Sequence, residues 1–205
     1  MQAAAARLSS PREPVVLLLD HRSGVCVPVM RAARLSDALD TSLHVVLALP
    51  TRDERLFRAQ VSYLVRLLEA VRPQGGHELE VVHGTAGDAG MAAARERDPR
   101  VVVVDAGVGT RDACRLVDEL GVPVFVARDP RATGARIAVG DLLSRRPESG
   151  TADELLARAR ERDDDVVVVG HPPSSWLTRL TGDRTAERVV RRCARSVMVV
   201  PAPGG

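Results

Sequence analysis

From residue 14 onward, short β-branched apolar runs alternate with stretches of helical periodicity. That alternation predicts βαβ units and a parallel sheet. "PVVLLLD" (14–20) reads as the first strand, followed by a helix over about 26–40 with Pro28 in its first turn. "SLHVVLAL" (42–49) is the second strand, and "TRDERLFRAQVSYLVRLLEAV" (51–71) is the longest helix, opened by a Thr51/Glu54 capping box. "HELEVVHG" (77–84) alternates as a third strand, and a helix over about 86–97 leads to "VVVVD" (101–105). A shorter helix over 111–120 leads to "VPVFVA" (122–127), which completes a five-stranded unit.

A linker, "RDPRATGAR", separates that unit from a new strand-like run, "IAVGD" (137–141). After a Ser/Arg/Pro/Gly loop, "TADELLARARERD" is a helix with its own capping box of Thr151 and Glu154. "VVVVG", a long polar loop, a helix over about 185–194 and "SVMVVP" finish the chain.

The second half repeats the first. "ARERDPRVVVVD" (94–105) and "ARERDDDVVVVG" (159–170) agree at nine of twelve positions at an offset of 65. "GTAGD" (84–88) parallels "GTAD" (150–153), and "ACRLVDELGVPVFVA" (113–127) pairs with "AERVVRRCARSVMVV" (186–200) at an offset of 73. The offset grows by 73 − 65 = 8 residues, all of them between the strand and the following helix. Matching flanks favour duplication over chance likeness of two valine runs. The expected organisation is a tail (1–13), a full domain (14–130) and a shortened second copy (131–205) that keeps the equivalents of the first, fourth and fifth strands.

Composition narrows the chemistry. Hydrophobic residues make up 45% and charged residues 27%, as in an ordinary globular protein. Phe57, Tyr63, Phe125 and Trp176 are the whole aromatic set, so the core rests on Val, Leu and Ala. That suits strands buried under helices on both faces. All 29 basic residues are arginine, which excludes Walker-type phosphate loops and lysine Schiff bases. A net charge of +2, with both signs mixed along the chain, argues against a nucleic-acid surface. Cys26, Cys114 and Cys193 are far apart and read as reduced thiols; the five histidines form no metal-ligand spacing. Residues 1–13 lack a long apolar core and read as a frayed, disordered tail, and no apolar run is long enough for a membrane span. The expected location is the cytoplasm.

Residues 151–201 carry a resemblance to the universal stress protein family: "ADELLARARERDDDVVVVG", a loop, "AERVVRRC" and "SVMVVP". The resemblance implies a doubly wound, parallel, five-stranded α/β sheet with a shortened tandem copy. It also implies an ancestral adenine-nucleotide site and a first strand ending in Asp, here Asp20 and, in the second copy, Asp141. ATP-binding members of the family share a loop of the form G-x2-G-x9-G-[S/T]. Its glycines let backbone N–H groups face the phosphates, and the next helix start completes the anion site.

Laid on this chain, the loop keeps its length but loses its chemistry. Gly170 to Ala186 spans 16 residues, and Gly170 holds the first glycine position. Pro173 stands at the second, Asp183 at the third with Gly182 one residue early, and Arg184 at the hydroxyl position. In the first copy the corresponding segment, "DAGVGTRDA", is too short for the same loop. Gly107, Gly109 and Thr110 there could hold one anion, but a tight turn with Thr110 as helix N-cap is favoured.

Other residues weigh less. Arg184, Arg188, Arg191 and Arg195 recur at helical spacing. They read as a solvated face, or, at Arg184, as a charge replacing lost backbone contacts to phosphate. His171 has no paired carboxylate or nucleophile at readable spacing, so a non-catalytic loop histidine is favoured over a base or ligand. Trp176 reads as a plug holding its loop down rather than a stacking platform. The expected function is a non-catalytic stress or regulatory protein acting through dimerisation or a partner. The candidate nucleotide-binding residues are Asp20, Asp141, Gly170, His171, Gly182, Asp183 and Arg184. The rival readings are a working ATP or AMP binder, with slow hydrolysis, and a binder of another anionic metabolite in the same crevice. The last strand of each copy is a sheet edge, so the two copies are expected to pair through these edges, or two chains to form a homodimer.

Overall fold

The computed structural model describes residues 13–22, 24–50, 54–128, 146–162, 165–172 and 184–202, and, among these, not the side chains of Glu54, Leu56 and Arg111. The predicted tail before residue 13, the cap residue Thr51, the strand-like run 137–141 and the loop 173–183 lie outside those residues.

Valine-rich runs become strands because every position along them is apolar and both faces of the sheet are covered. β1 (Val15–Asp20), β2 (Leu43–Leu49), β4 (Val101–Asp105) and β5 (Val124–Ala127) have almost continuous buried patterns. β3 (His77–His83) is an edge strand and only half-buried. β6 (Val166–His171) and β7 (Ser196–Pro201) repeat the buried pattern in the second half.

The strands form one sheet of seven in the order β3-β2-β1-β4-β5-β7-β6. The five-stranded sheet expected from the sequence is therefore extended by two strands. β5 pairs antiparallel with β7, through Val124↔Val199, Phe125↔Met198 and Val126↔Val197; every other strand pair in the sheet is parallel. β6 and β7 thus run opposite to the other five strands, and their carboxyl ends lie at the other end of the sheet.

Helices cover both faces. α1 (Cys26–Ala38) and α2 (Glu54–Val71) bury Val29, Ala32, Leu64 and Leu68 against Leu17, Val45 and Val103. α3 (Met91–Glu96), α4 (Ala106–Leu120), α5 (Ala152–Glu161) and α6 (Thr185–Arg192) bury Met91, Leu116, Leu155 and Val189 against Val16, Val102 and Val197. The Thr151/Glu154 capping box opens α5 as its spacing predicts. A π turn, Ala86–Gly90, precedes α3 where a plain helix was expected. α4 begins five residues earlier than its periodicity suggested and ends at Gly121 in the left-handed region (φ 69°) that glycine adopts without strain.

Among the described residues, no helix is long and apolar enough to cross a membrane.

Candidate functional site

In a sheet of this order the chain turns outward in opposite directions from β1 and β4, which leaves a crevice at their carboxyl ends. A cavity of about 320 Å³ lies there. Asp20 and His21 line it from the end of β1, Gly84 to Asp88 from the turn after β3, and Val108, Asp112 and Arg115 from α4. This is the place where a nucleotide would sit in a fold of this kind, with its phosphates on the first amides of α4.

Those amides are already engaged. The Asp105 carboxylate accepts hydrogen bonds from Gly107 N at 3.1 Å and Val108 N at 3.0 Å, so Asp105 is the N-cap of α4. The cap assigned to Thr110 from the sequence is corrected accordingly. Thr110 lies inside the helix, where its hydroxyl donates to Ala106 O at 2.7 Å and accepts from Arg128 at 2.9 Å. Asp105 wins because its carboxylate reaches two orphan amides and carries the charge that a helix N-terminus favours.

The glycines of "DAGVGT" have packing duties. A Cβ on Gly109 would stand 2.4 Å from Val126 Cγ1, so only glycine lets α4 lie this close to β5. One on Gly107 would stand 3.2 Å from the capping carboxylate.

Hydrogen bonds and an arginine–carboxylate pair hold the rest of the crevice. Asp20 accepts from the backbone of Arg22, and His21 Nδ1 is 3.7 Å from the same carboxyl. Thr85 caps the π turn through Asp88 N at 3.1 Å, and Asp88 in turn pairs with Arg115 at 3.1 Å. Arg115 also meets Glu119 at 2.9 Å, and the two hydrogen bonds raise its pKa above the ordinary guanidinium value. The crevice is therefore lined by the carboxylates Asp20, Asp88 and Asp112, of which Asp88 has its opposite charge supplied by Arg115.

The candidates on the second half lie elsewhere. Gly170 and His171 close β6, four strand positions from β1, or roughly 19 Å across the sheet, and at its opposite end. Gly170 is bare for a packing reason: a Cβ there would come within 3.2 Å of Pro147 Cβ. That segment bridges to β6 through Glu148 N and Val168 O at 3.2 Å. His171 Nε2 is 3.1 Å from Asp118 Oδ1 of α4, close in distance but not aligned as a hydrogen bond. Arg184 precedes α6, exposed and without a side-chain cap bond. Asp141, Gly182, Asp183 and Trp176 lie outside the described residues. The structure thus brings Gly170 and His171 together, and leaves Asp20 at a different site.

Sequence reasoning missed Asp105, Asp88, Asp112 and Arg115. One signal was present: at an offset of 65, Asp105 is the residue that becomes Gly170.

Comparison with solved structures sets this arrangement in context. The chain is similar to a universal stress protein from Archaeoglobus fulgidus DSM 4304, with a TM-score of 0.56 over 91% of this chain and 96% of that one. The fold is shared. Sequence identity is 12%, so the likeness lies in the doubly wound α/β architecture and not in particular side chains. No family model matches the chain, and no curated protein matches it. Among the described residues, no three of His, Cys, Asp and Glu are grouped to hold a metal ion.

Proposed function

We propose that this chain is a non-catalytic, cytoplasmic regulatory protein of the universal stress protein kind, acting through a protein partner. In this reading its first crevice no longer takes a nucleotide's phosphates. The observation that carries it is the Asp105 carboxylate on the amides of Gly107 and Val108. A phosphate would have to displace an anion tethered two and three residues from those amides, and would meet its charge at close range.

The offset repeat and the antiparallel β5–β7 pair support reading residues 131–205 as a shortened second copy that docks on the first. Each copy's last strand then covers the other's edge, so one chain holds the pairing that two chains would otherwise supply. Regulation by a partner fits a molecule whose crevice amides are already taken by its own carboxylate.

Titration with ATP and with AMP, followed by thermal shift and by Trp176 fluorescence, tests the reading. The expected result is no change with either. A rise of several degrees with ATP overturns it. If that rise disappears in Arg184→Ala, the nucleotide belongs to the second copy, with arginine replacing the missing glycine contacts.

A further inference from the structure

α4 and α6 lie side by side and antiparallel across the β5–β7 junction, and a cleft of about 400 Å³ runs between them. It is a different cavity from the crevice at Asp20, and its volume falls in the range of small-molecule sites. Its floor is small and apolar, from Gly109, Ala113 and Cys114 of α4 and Val190 of α6. Its walls carry both signs of charge.

Two wall charges stand out. Glu187 and Arg191 are one helical turn apart on α6, a spacing at which such residues commonly pair. Here neither has a side-chain partner among the described residues. Three other exposed arginines do hold a carboxylate: Arg95 with Glu119, Arg97 with Glu80, Arg192 with Asp153. Both wall charges line the same cavity as the Cys114 thiol at its floor. At the far end His171 Nε2 is buried without an aligned hydrogen bond.

We propose that this cleft binds a small zwitterion, a free α-amino acid with a short apolar side chain. The ligand's carboxylate lies on the Arg191 guanidinium, which presents a planar fork suited to it. Its ammonium lies on Glu187, and its side chain rests on Ala113 and Val190. An anion alone leaves Glu187 unanswered, and a cation alone leaves Arg191 unanswered. Because the described residues of the floor include no aromatic side chain, a quaternary ammonium gains nothing from them over a primary one. Nothing in this site depends on the phosphate question at Asp105, so the ATP titration and this test succeed or fail separately.

Calorimetric titration of the full chain with L-alanine and L-valine, against acetate and ethylammonium as the two half-ligands, decides the matter. Saturable binding of an amino acid is expected, about tenfold or more tighter than either half. Arg191→Ala and Glu187→Gln should each weaken it about tenfold or more while leaving the melting temperature unchanged, since both side chains are at least partly exposed. Three results overturn the proposal: no saturation by either amino acid up to roughly 50 mM, acetate binding as well as the zwitterion, or either variant binding like the wild type.

Discussion

Phe125 of β5 stands directly opposite Met198 of β7, both essentially solvent-free, at the centre of the antiparallel pair that joins the two halves of the chain. Through that contact the core on one face of the sheet runs from the first half of the chain into the second. Phe125→Ala is expected to cost about 3–5 kcal/mol, because the cavity would open under both halves at once. Chemical denaturation should show a single transition shifted to lower denaturant, with no separate melting of residues 131–205. Light scattering should give the mass of one chain, since the β5 edge is already occupied.

Asp105 acts on stability and on anion access separately. Asp105→Ala removes the cap of α4 and should lower stability by about 1 kcal/mol. Asp105→Gly, the residue found at the matching position of the second half, should cost only a few tenths of that order. It also frees the amides of Gly107 and Val108. A thermal-shift titration with inorganic phosphate should be flat for the wild type and rise for Asp105→Gly.

Gly109 is expected to tolerate no side chain. Gly109→Ala places a methyl group inside contact distance of Val126 and should destabilise by about 1–3 kcal/mol, read from the denaturation midpoint. The double variant Gly109→Ala/Val126→Ala should recover part of the loss, because the second change removes the atoms that clash.

Acid sensitivity should trace in part to His44. Its ring is buried on β2 between Glu78 at 3.2 Å and Glu80 at 2.9 Å. The His44 hydrogen bond, aided by Arg97 and opposed by burial, holds the Glu80 carboxyl below its ordinary value of 4.5. A carboxyl depressed by folding contributes stability that is fully present above 4.5 and is lost as pH falls through the lower folded value. His44→Gln should therefore flatten the fall in urea midpoint between about pH 5 and pH 3; an unchanged slope would place the acid sensitivity elsewhere.

The thiols should separate by reactivity. Burial first, then Glu187 and Asp118, push the Cys114 thiol up to about 12 against the opposing pull of Arg191. Cys193 is buried and Cys26 exposed. At about pH 8, a disulfide reagent should react quickly with one thiol, and Cys26→Ser should remove that fast phase.

Much of this architecture is written locally. The valine runs at 101–105, 166–170 and 196–200 are strands because no other element lets a β-branched run bury both faces. The capping box at Thr151 is equally local, since Thr, Glu and the intervening turn are all that it needs. The doubly wound α/β fold follows from that alternation.

The direction in which β7 meets β5 is not local. "VPVFVA" and "SVMVVP" can pair either way, and only the joint packing of α4, α6 and both halves of the sheet makes them antiparallel. That reversal puts the carboxyl ends of β1 and β6 at opposite ends of the molecule, so residues that one motif would gather are parted. The start of α4 is the same kind of case. Helical periodicity stops at the glycines of "DAGVGT", whereas Val126 requires Gly109 inside the helix and Asp105 then falls at its cap. Short-range pattern decided which segments are strands and helices. Which edges meet, and whose charge fills the anion site, was decided by contacts between residues far apart in the chain.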